Sequence, residues 1–373
     1  MKARTLVIIL VSIILVSCAS SVTTTPTEKP IPADISTLMP LPTSTPFPKP
    51  CISLPKTGLP VGNLIKNSHI LYQVMRPEQV RDEIALFSVN DNTIRFLDKV
   101  EGTSLGFGFL SDGKHFVLRD GDGNARIANI DNSEPIVVPV TKELVDKFSP
   151  YSIFWSVLQE GNQEIYPDSF GFDSGRFYSP DGEIVATWKL GDTALVLTDK
   201  EKNTSTNIIK TEISDRGVSE SITGTWTSDG NQFIFAYNSG VTEEFYTQLY
   251  TVNRDGSDLR PLTKRFEKSW ISEIKLSPNG EKVLMVGHGM SSLRDVFAIL
   301  TISTNDLKIF EQGIYLSGSL MPYGSVIWSP DSEWIAFFAH WGQIDIHVLN
   351  VENGDTYCVT NDNLIENIMD WHY

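Results

Sequence analysis

His288 and His340 each stand nine residues beyond a turn-forming Asn279 or Asp331, and Asn238 stands at the same offset from Asp229. Residues repeated at one offset in neighbouring structural units point at a shared space. Imidazole nitrogens and an amide there could line a polar ligand pocket or bind a metal ion. No carboxylate or third histidine joins them in the pattern, and a turn is polar in any case. A second group, Asp120-Gly121-Asp122-Gly123-Asn124, alternates oxygen ligands as the start of a calcium loop does, with Asp131 at the twelfth position. Ala125 replaces the glycine expected at the sixth position and Asp131 replaces the chelating glutamate. A plain Asp-Gly hairpin turn therefore competes with a calcium ion as the reason for that run. A third group is aromatic: Tyr151, Phe154, Trp155, Tyr166, Phe170 and Phe172 crowd a segment at roughly 144–172. Such side chains either anchor a partner or sugar, with Phe154 and Trp155 as the leading candidates, or cap a channel with a small core of their own.

Chemistry beyond these groups is sparse. The chain has no Gly-x-Ser-x-Gly elbow, no phosphate-binding glycine loop, no His-Glu-x-x-His and no Cys-x-x-Cys. Glu243 and Glu244 are adjacent, and neighbours on a strand face opposite ways, which unfits them as a glycosidase pair. No catalytic residue is assigned and no cofactor is expected, calcium at Asp120, Asp122 and Asn124 being the one exception. The formal net charge is −16, and −18 once the charges of Lys2 and Arg4 are removed. That excess of acid argues against nucleic acid and against adhesion to anionic lipid headgroups.

The elements that must position these residues come from a repeat. An aromatic or aliphatic residue, a Ser/Pro pair and an Asp/Asn-Gly turn precede a short apolar strand five times. The copies begin at Phe109, Tyr178, Trp226, Leu276 and Trp328, and the turn acids or amide at 181, 229, 279 and 331 lie 48, 50 and 52 residues apart. A period of this size marks a β-propeller of four-stranded blades. The aromatic three residues before each Asp is expected to pack between blades, and Asn253-Arg254-Asp255-Gly256 to turn the third strand of its blade into the fourth. Residues 62–98 hold three further strands (His69–Tyr72, Glu83–Val89, Thr93–Leu97) with no such turn before them. Ile368–Tyr373 reads as the missing inner strand, so the C-terminal strand joins the first blade and closes the ring. The expected fold is all-β, a six-bladed propeller of antiparallel blades. A seventh blade hidden in 141–172 lacks enough strands.

The repeat resembles that of TolB-type, WD40-like propellers, on the aromatic-Ser-Pro-Asp-Gly element followed by an apolar strand and on Val252–Thr263 (VNRDGSDLRPLT). The resemblance covers about residues 60–373. It implies the six-bladed fold and leaves activity open, because such repeats serve periplasmic scaffolds and the propellers of prolyl oligopeptidase-like enzymes alike. Six blades use up the folded length and leave no room for a hydrolase domain.

The N-terminus reads as residues 1–17, a lipoprotein signal peptide: Lys2 and Arg4, an apolar run from Leu6 to Val16, then Leu15-Val16-Ser17-Cys18. The run is shorter than the ~20 residues a spanning helix needs, and the Cys18 thiol would carry the lipid. Residues 18–50, rich in Ser, Thr and Pro, read as an extended stalk, and 51–373 as the propeller. In an oxidising compartment, Cys51 and Cys358 are expected to form a disulfide, because a propeller brings its first and last segments together. The expected function is a non-catalytic, monomeric scaffold in the bacterial cell envelope. It would be lipid-anchored at the periplasmic face or cell surface, and would bind a protein or glycan through the rim that carries the blade-to-blade crossovers. A carbohydrate-active or metal-dependent enzyme using His288 and His340, or a solute-binding module, is the alternative.

Overall fold

The computed structural model describes residues 52–53, 67–75, 81–101, 108–119, 125–131, 136–138, 158–160, 163–165, 175–188, 194–210, 220–239, 246–289, 295–314, 326–340, 344–360 and 365–372. Among them there is no helix. The chain opens with β1 (Ile52–Ser53), β2 (His69–Met75), β3 (Arg81–Ser88) and β4 (Thr93–Glu101). Blade 2 is β5 (Gly108–Phe109), β6 (His115–Arg119), β7 (Ala125–Asn129) and β8 (Ile136–Val138). A separate hairpin, β9 (Leu158–Glu160) and β10 (Gln163–Ile165), precedes blade 3: β11 (Gly175–Tyr178), β12 (Ile184–Trp188), β13 (Ala194–Asp199) and β14 (Thr204–Lys210). Blade 4 is β15 (Ser221–Trp226), β16 (Gln232–Ser239), β17 (Tyr246–Asn253) and an outer strand split into β18 (Arg260–Pro261) and β19 (Phe266–Glu267). Blade 5 is β20 (Ser269–Leu276), β21 (Lys282–Gly289), β22 (Asp295–Thr301) and β23 (Asp306–Ile314). Blade 6 is β24 (Val326–Trp328), β25 (Trp334–His340), β26 (Ile344–Asn350) and β27 (Thr356–Cys358), and the last strand is β28 (Ile365–His372).

Strands within each blade pair in sequence order and antiparallel, which defines a β-propeller of six blades among the described residues. Blade 1 is composite: β28 pairs with β2 from His69↔His372 to Met75↔Ile365, so the C-terminal strand supplies the inner strand of the first blade as expected. One parallel bridge, Ile344↔Ile365, links that strand to blade 6. The hairpin β9–β10 is a two-stranded sheet of its own, and among the described residues of the long crossover these are the only strands.

Burial explains the strand sequences. A second strand is covered by a neighbouring blade on both faces, so it reads as a continuous apolar run and not as an alternation. Phe233 to Tyr237 on β16 are all buried in this way. The tryptophans before the turns of blades 4 and 6 pack between blades. Trp226 Nε1 donates to Phe177 O of blade 3 at 2.8 Å, and Trp328 Nε1 donates to Lys275 O of blade 5 at 3.2 Å.

The turns share one construction. Asp181 Oδ1 accepts from Ser179 Oγ (2.6 Å) and from Glu183 N (3.0 Å), while Ser179 Oγ accepts from Ile184 N (3.0 Å). Asp229, Asn279 and Asp331 repeat it with Thr227, Ser277 and Ser329. In blade 2 Leu110 occupies the hydroxyl position, and Asp112 instead accepts from Lys114 N and His115 N and meets His115 Nδ1 at 2.6 Å. These turns, and those between third and fourth strands, make up the turn rim. The opposite end of each blade is the crossover rim.

Candidate functional site

The crossover rim gathers the ends of the second strands. Asn238, His288 and His340 are each the seventh residue of a second strand, β16, β21 and β25. The offset read from sequence is therefore a true structural equivalence. In register, Asn238 faces Ser221 and Thr247, His288 faces Trp270 and Asp295, and His340 faces Ile344. The histidine side chains lie outside what the structure describes.

Asn238 does not line a pocket. It is fully buried and uses every hydrogen-bonding position of its amide. Oδ1 accepts from Ile271 N at 2.9 Å and from Thr247 Oγ1; Nδ2 donates to Ile271 O at 2.8 Å and to Ser221 Oγ at 2.9 Å. An amide with both lone pairs and both hydrogens engaged has nothing left for a ligand. It joins blade 4 to the inner strand of blade 5, and this role replaces the one expected for it.

Of the expected calcium loop, Asp120, Asp122 and Asn124 fall outside the described residues, and only the twelfth-position Asp131 is revised. Arg119↔Ala125 is the last pair of the β6–β7 ladder, so Asp120, Asp122 and Asn124, outside the described residues themselves, belong to the connection at the crossover rim. Asp131 follows β7 at the turn rim, exposed, with its amide on Asn129 Oδ1 at 3.2 Å. The five residues of β7 put about 16 Å of strand between Ala125 and the turn of Asp131, which takes Asp131 out of any ligand set formed at the other end. Among the described residues no three His, Cys, Asp or Glu side chains gather as a metal site. Phe154, Trp155, Glu243, Glu244 and Cys18 lie outside the described residues.

The structure adds a cluster that the sequence did not single out. At the crossover rim of blade 4, Tyr237 OH donates to the buried Glu220 at the head of the inner strand. Tyr246 meets Tyr237 edge-on at 6.4 Å between centroids, and the exposed Arg265 guanidinium lies 4.2 Å over the Tyr246 ring. An exposed guanidinium on an aromatic face is a surface suited to planar or anionic groups of a partner. Arg265 reaches this place because the outer strand breaks between Pro261, which has no amide to donate, and Phe266. The sequence signal was faint: a Pro inside the outer-strand pattern.

Charge at the turn rim is arranged differently. Arg254, in the Asn253–Gly256 turn of blade 4, donates from Nη1 to Asp181 Oδ2 (2.6 Å) and from Nη2 to Glu183 Oε2 (2.8 Å) of blade 3. The Arg254 guanidinium, with help from Ser179, holds the Asp181 carboxyl well below the usual carboxylate range. Cys358 is disulfide-bonded, and Ser53 of β1 lies opposite it in register; Cys51 falls outside the described residues.

An all-β propeller with fastened blades and a polar-aromatic crossover rim is thus the class that fold and rim define. Its solved likenesses include TolB from Acinetobacter baumannii, at 15% identity and a TM-score of 0.48 over 82% of this chain and 66% of that one. A putative TolB from Agrobacterium tumefaciens is 12% identical, with a TM-score of 0.39 over 81% of this chain and 98% of that one. A nidogen/laminin complex structure is 10% identical, with a TM-score of 0.39 over 82% of this chain and 97% of that one. The chain therefore spans just under two thirds of the A. baumannii protein. No family model and no curated protein matches the sequence.

Proposed function

We propose that this chain is a lipid-anchored, extracytoplasmic propeller that binds a protein of the cell envelope through its crossover rim and catalyses nothing. The observation that carries the reading is the hairpin β9–β10, which among the described residues pairs with no blade strand and stands in the crossover between blades 2 and 3. A connection that builds its own hairpin, on a rim that also carries the Arg265–Tyr246 pair of blade 4, supports a role in recognition. The direction of β1 supports the orientation. It runs parallel to β27, so the chain before Ile52 arrives from the turn rim. A lipid on Cys18 would then leave the crossover rim facing away from the membrane. The partner of Cys358 in this reading is Cys51, which ties the end of the stalk to blade 6.

The test is crosslinking of the full-length protein in its own membranes. A specific envelope protein should be captured by the wild type and reduced at least fivefold in Phe154→Ala/Trp155→Ala and in Tyr246→Ala/Arg265→Ala, with unchanged thermal unfolding. Equal capture by all variants would remove the rim assignment. A glycan or small solute that raises Tm with no protein captured would shift the reading to a solute-binding module.

A further inference from the structure

Large exposed apolar side chains among the described residues occur in one sector only: Ile52, Ile94, Phe96, Ile136 and Val137. They sit on the outermost strands of three consecutive blades: β1 at the edge of blade 6, β4 of blade 1 and β8 of blade 2. Ile52, Ile94 and Phe96 lie toward the turn-rim ends of β1 and β4, which start there, whereas Ile136 and Val137 pair with Ile127 and Arg126 in the crossover-rim half of blade 2. Ile94 and Phe96 are 41% and 48% exposed, and Ile136 and Val137 are 64% and 58% exposed. Arg95, between the first two, turns to the other face of β4 and donates to Ile130 O of blade 2. Ile94 and Phe96 therefore look toward the edge of blade 6, where β1 enters.

We propose that this chain's own residues 35–50 dock along that flank. These residues lie outside the described ones, and the segment ends at the flank: Ile52↔Tyr357 pins the chain to blade 6 two residues after it. Sixteen residues rich in Pro reach about 50 Å at ~3.1 Å each, enough to pass from blade 6 across blades 1 and 2. The segment carries Ile35, Leu38, Met39, Leu41 and Phe47, with one cation (Lys49) and no acid. A stiff Pro-rich strand loses little entropy on docking, and its tether keeps the local concentration high. Charge selects this occupant over an anionic membrane. Asp91, Asp112, Asp131, Glu333 and Glu352 are exposed on the turns of the same three blades and would repel anionic headgroups. The docked stalk shortens the tether and sets the propeller's tilt on it, which a free stalk could not do.

The test places a photo-crosslinking residue at position 47 of the full-length protein in membranes and maps the products by mass spectrometry. Crosslinks should fall within residues 93–101, the part of the flank that five residues from Ile52 can reach, and drop at least fivefold in Ile94→Ser/Phe96→Ser. Both replaced residues are surface-exposed, and unchanged thermal unfolding would verify the fold. The same probe at Val22 should give no such products. Crosslinks from position 47 to lipid, to another protein, to a second copy or to other blades would overturn the proposal, as would none at all. The readout is independent of partner capture at the crossover rim.

Discussion

Ser332 adopts φ +64°, the left-handed conformation that Gly113, Gly182, Gly230 and Gly280 take at the matching place in the other turns. A side chain there costs about 1 kcal/mol. Its hydroxyl offsets the cost by accepting from Asn279 N of blade 5 at 3.1 Å, in a fully buried position. Ser332→Gly should therefore leave stability within about 0.5 kcal/mol of wild type, whereas Ser332→Ala keeps the strain and loses the bond, costing about 1–2 kcal/mol by chemical denaturation. His347 makes a second prediction. It is buried against Phe337, 5.7 Å between ring centroids, and burial pushes its pKa down to about 4. The unfolded chain takes up a proton near pH 6.5 while the folded chain does not, so stability rises with pH across that window. Lowering the pH from 7.5 to 5 should cost about 1–2 kcal/mol through this residue. His347→Phe should remove that part of the slope; an unchanged slope would mean the ring is reached by water.

At the scale of strands and blades, polar side chains do the fastening. Asn238 binds both backbone groups of Ile271 in the next blade, and the buried Asp370 accepts from Phe109 N of blade 2 at 2.8 Å. Asn238→Ala strands those backbone groups and should cost about 2–3 kcal/mol, read as a lower denaturation midpoint with an unchanged slope. A variant as stable as wild type would show that the blades are held by apolar packing alone. The blades themselves were legible before any coordinates. The Ser-Pro-Asp-Gly turns and the apolar runs after them place the first two strands of each repeat, because turn chemistry and burial on both faces are local demands. Outer strands left weaker traces, since β8 has three residues and the outer strand of blade 4 is split by Pro261. Asn238 misled because its partner in the next blade, Ile271, lies 33 residues on, and nothing local to 238 reports a backbone that arrives from another blade. Asp131 misled for a related reason: twelve residues in line count as a loop only if no strand intervenes.

For the whole molecule, ends matter more than blades. With Cys51 as partner, the Cys358 disulfide spans nearly the entire folded chain, and Cys358→Ser should cost about 2–4 kcal/mol under oxidising conditions and nothing under reducing ones. A tryptic peptide joining residues 51 and 358 by mass is the direct check. The two rims divide the labour. Acidic turns occupy one, where the chain before Ile52 arrives, and the aromatic and cationic cluster occupies the other. Neither division could be read along the chain, because it depends on which way β1 runs beside β27. The pairing of β28 with β2 also has a consequence in time. β2, β3 and β4 are among the first strands to leave the ribosome, and they lack an inner neighbour until residues 365–372 have been made. Blade 1 is therefore the first begun and the last finished. A chain released short of its final strand keeps an open β-strand edge at its first blade, a flag of incompleteness that chaperones and proteases can read.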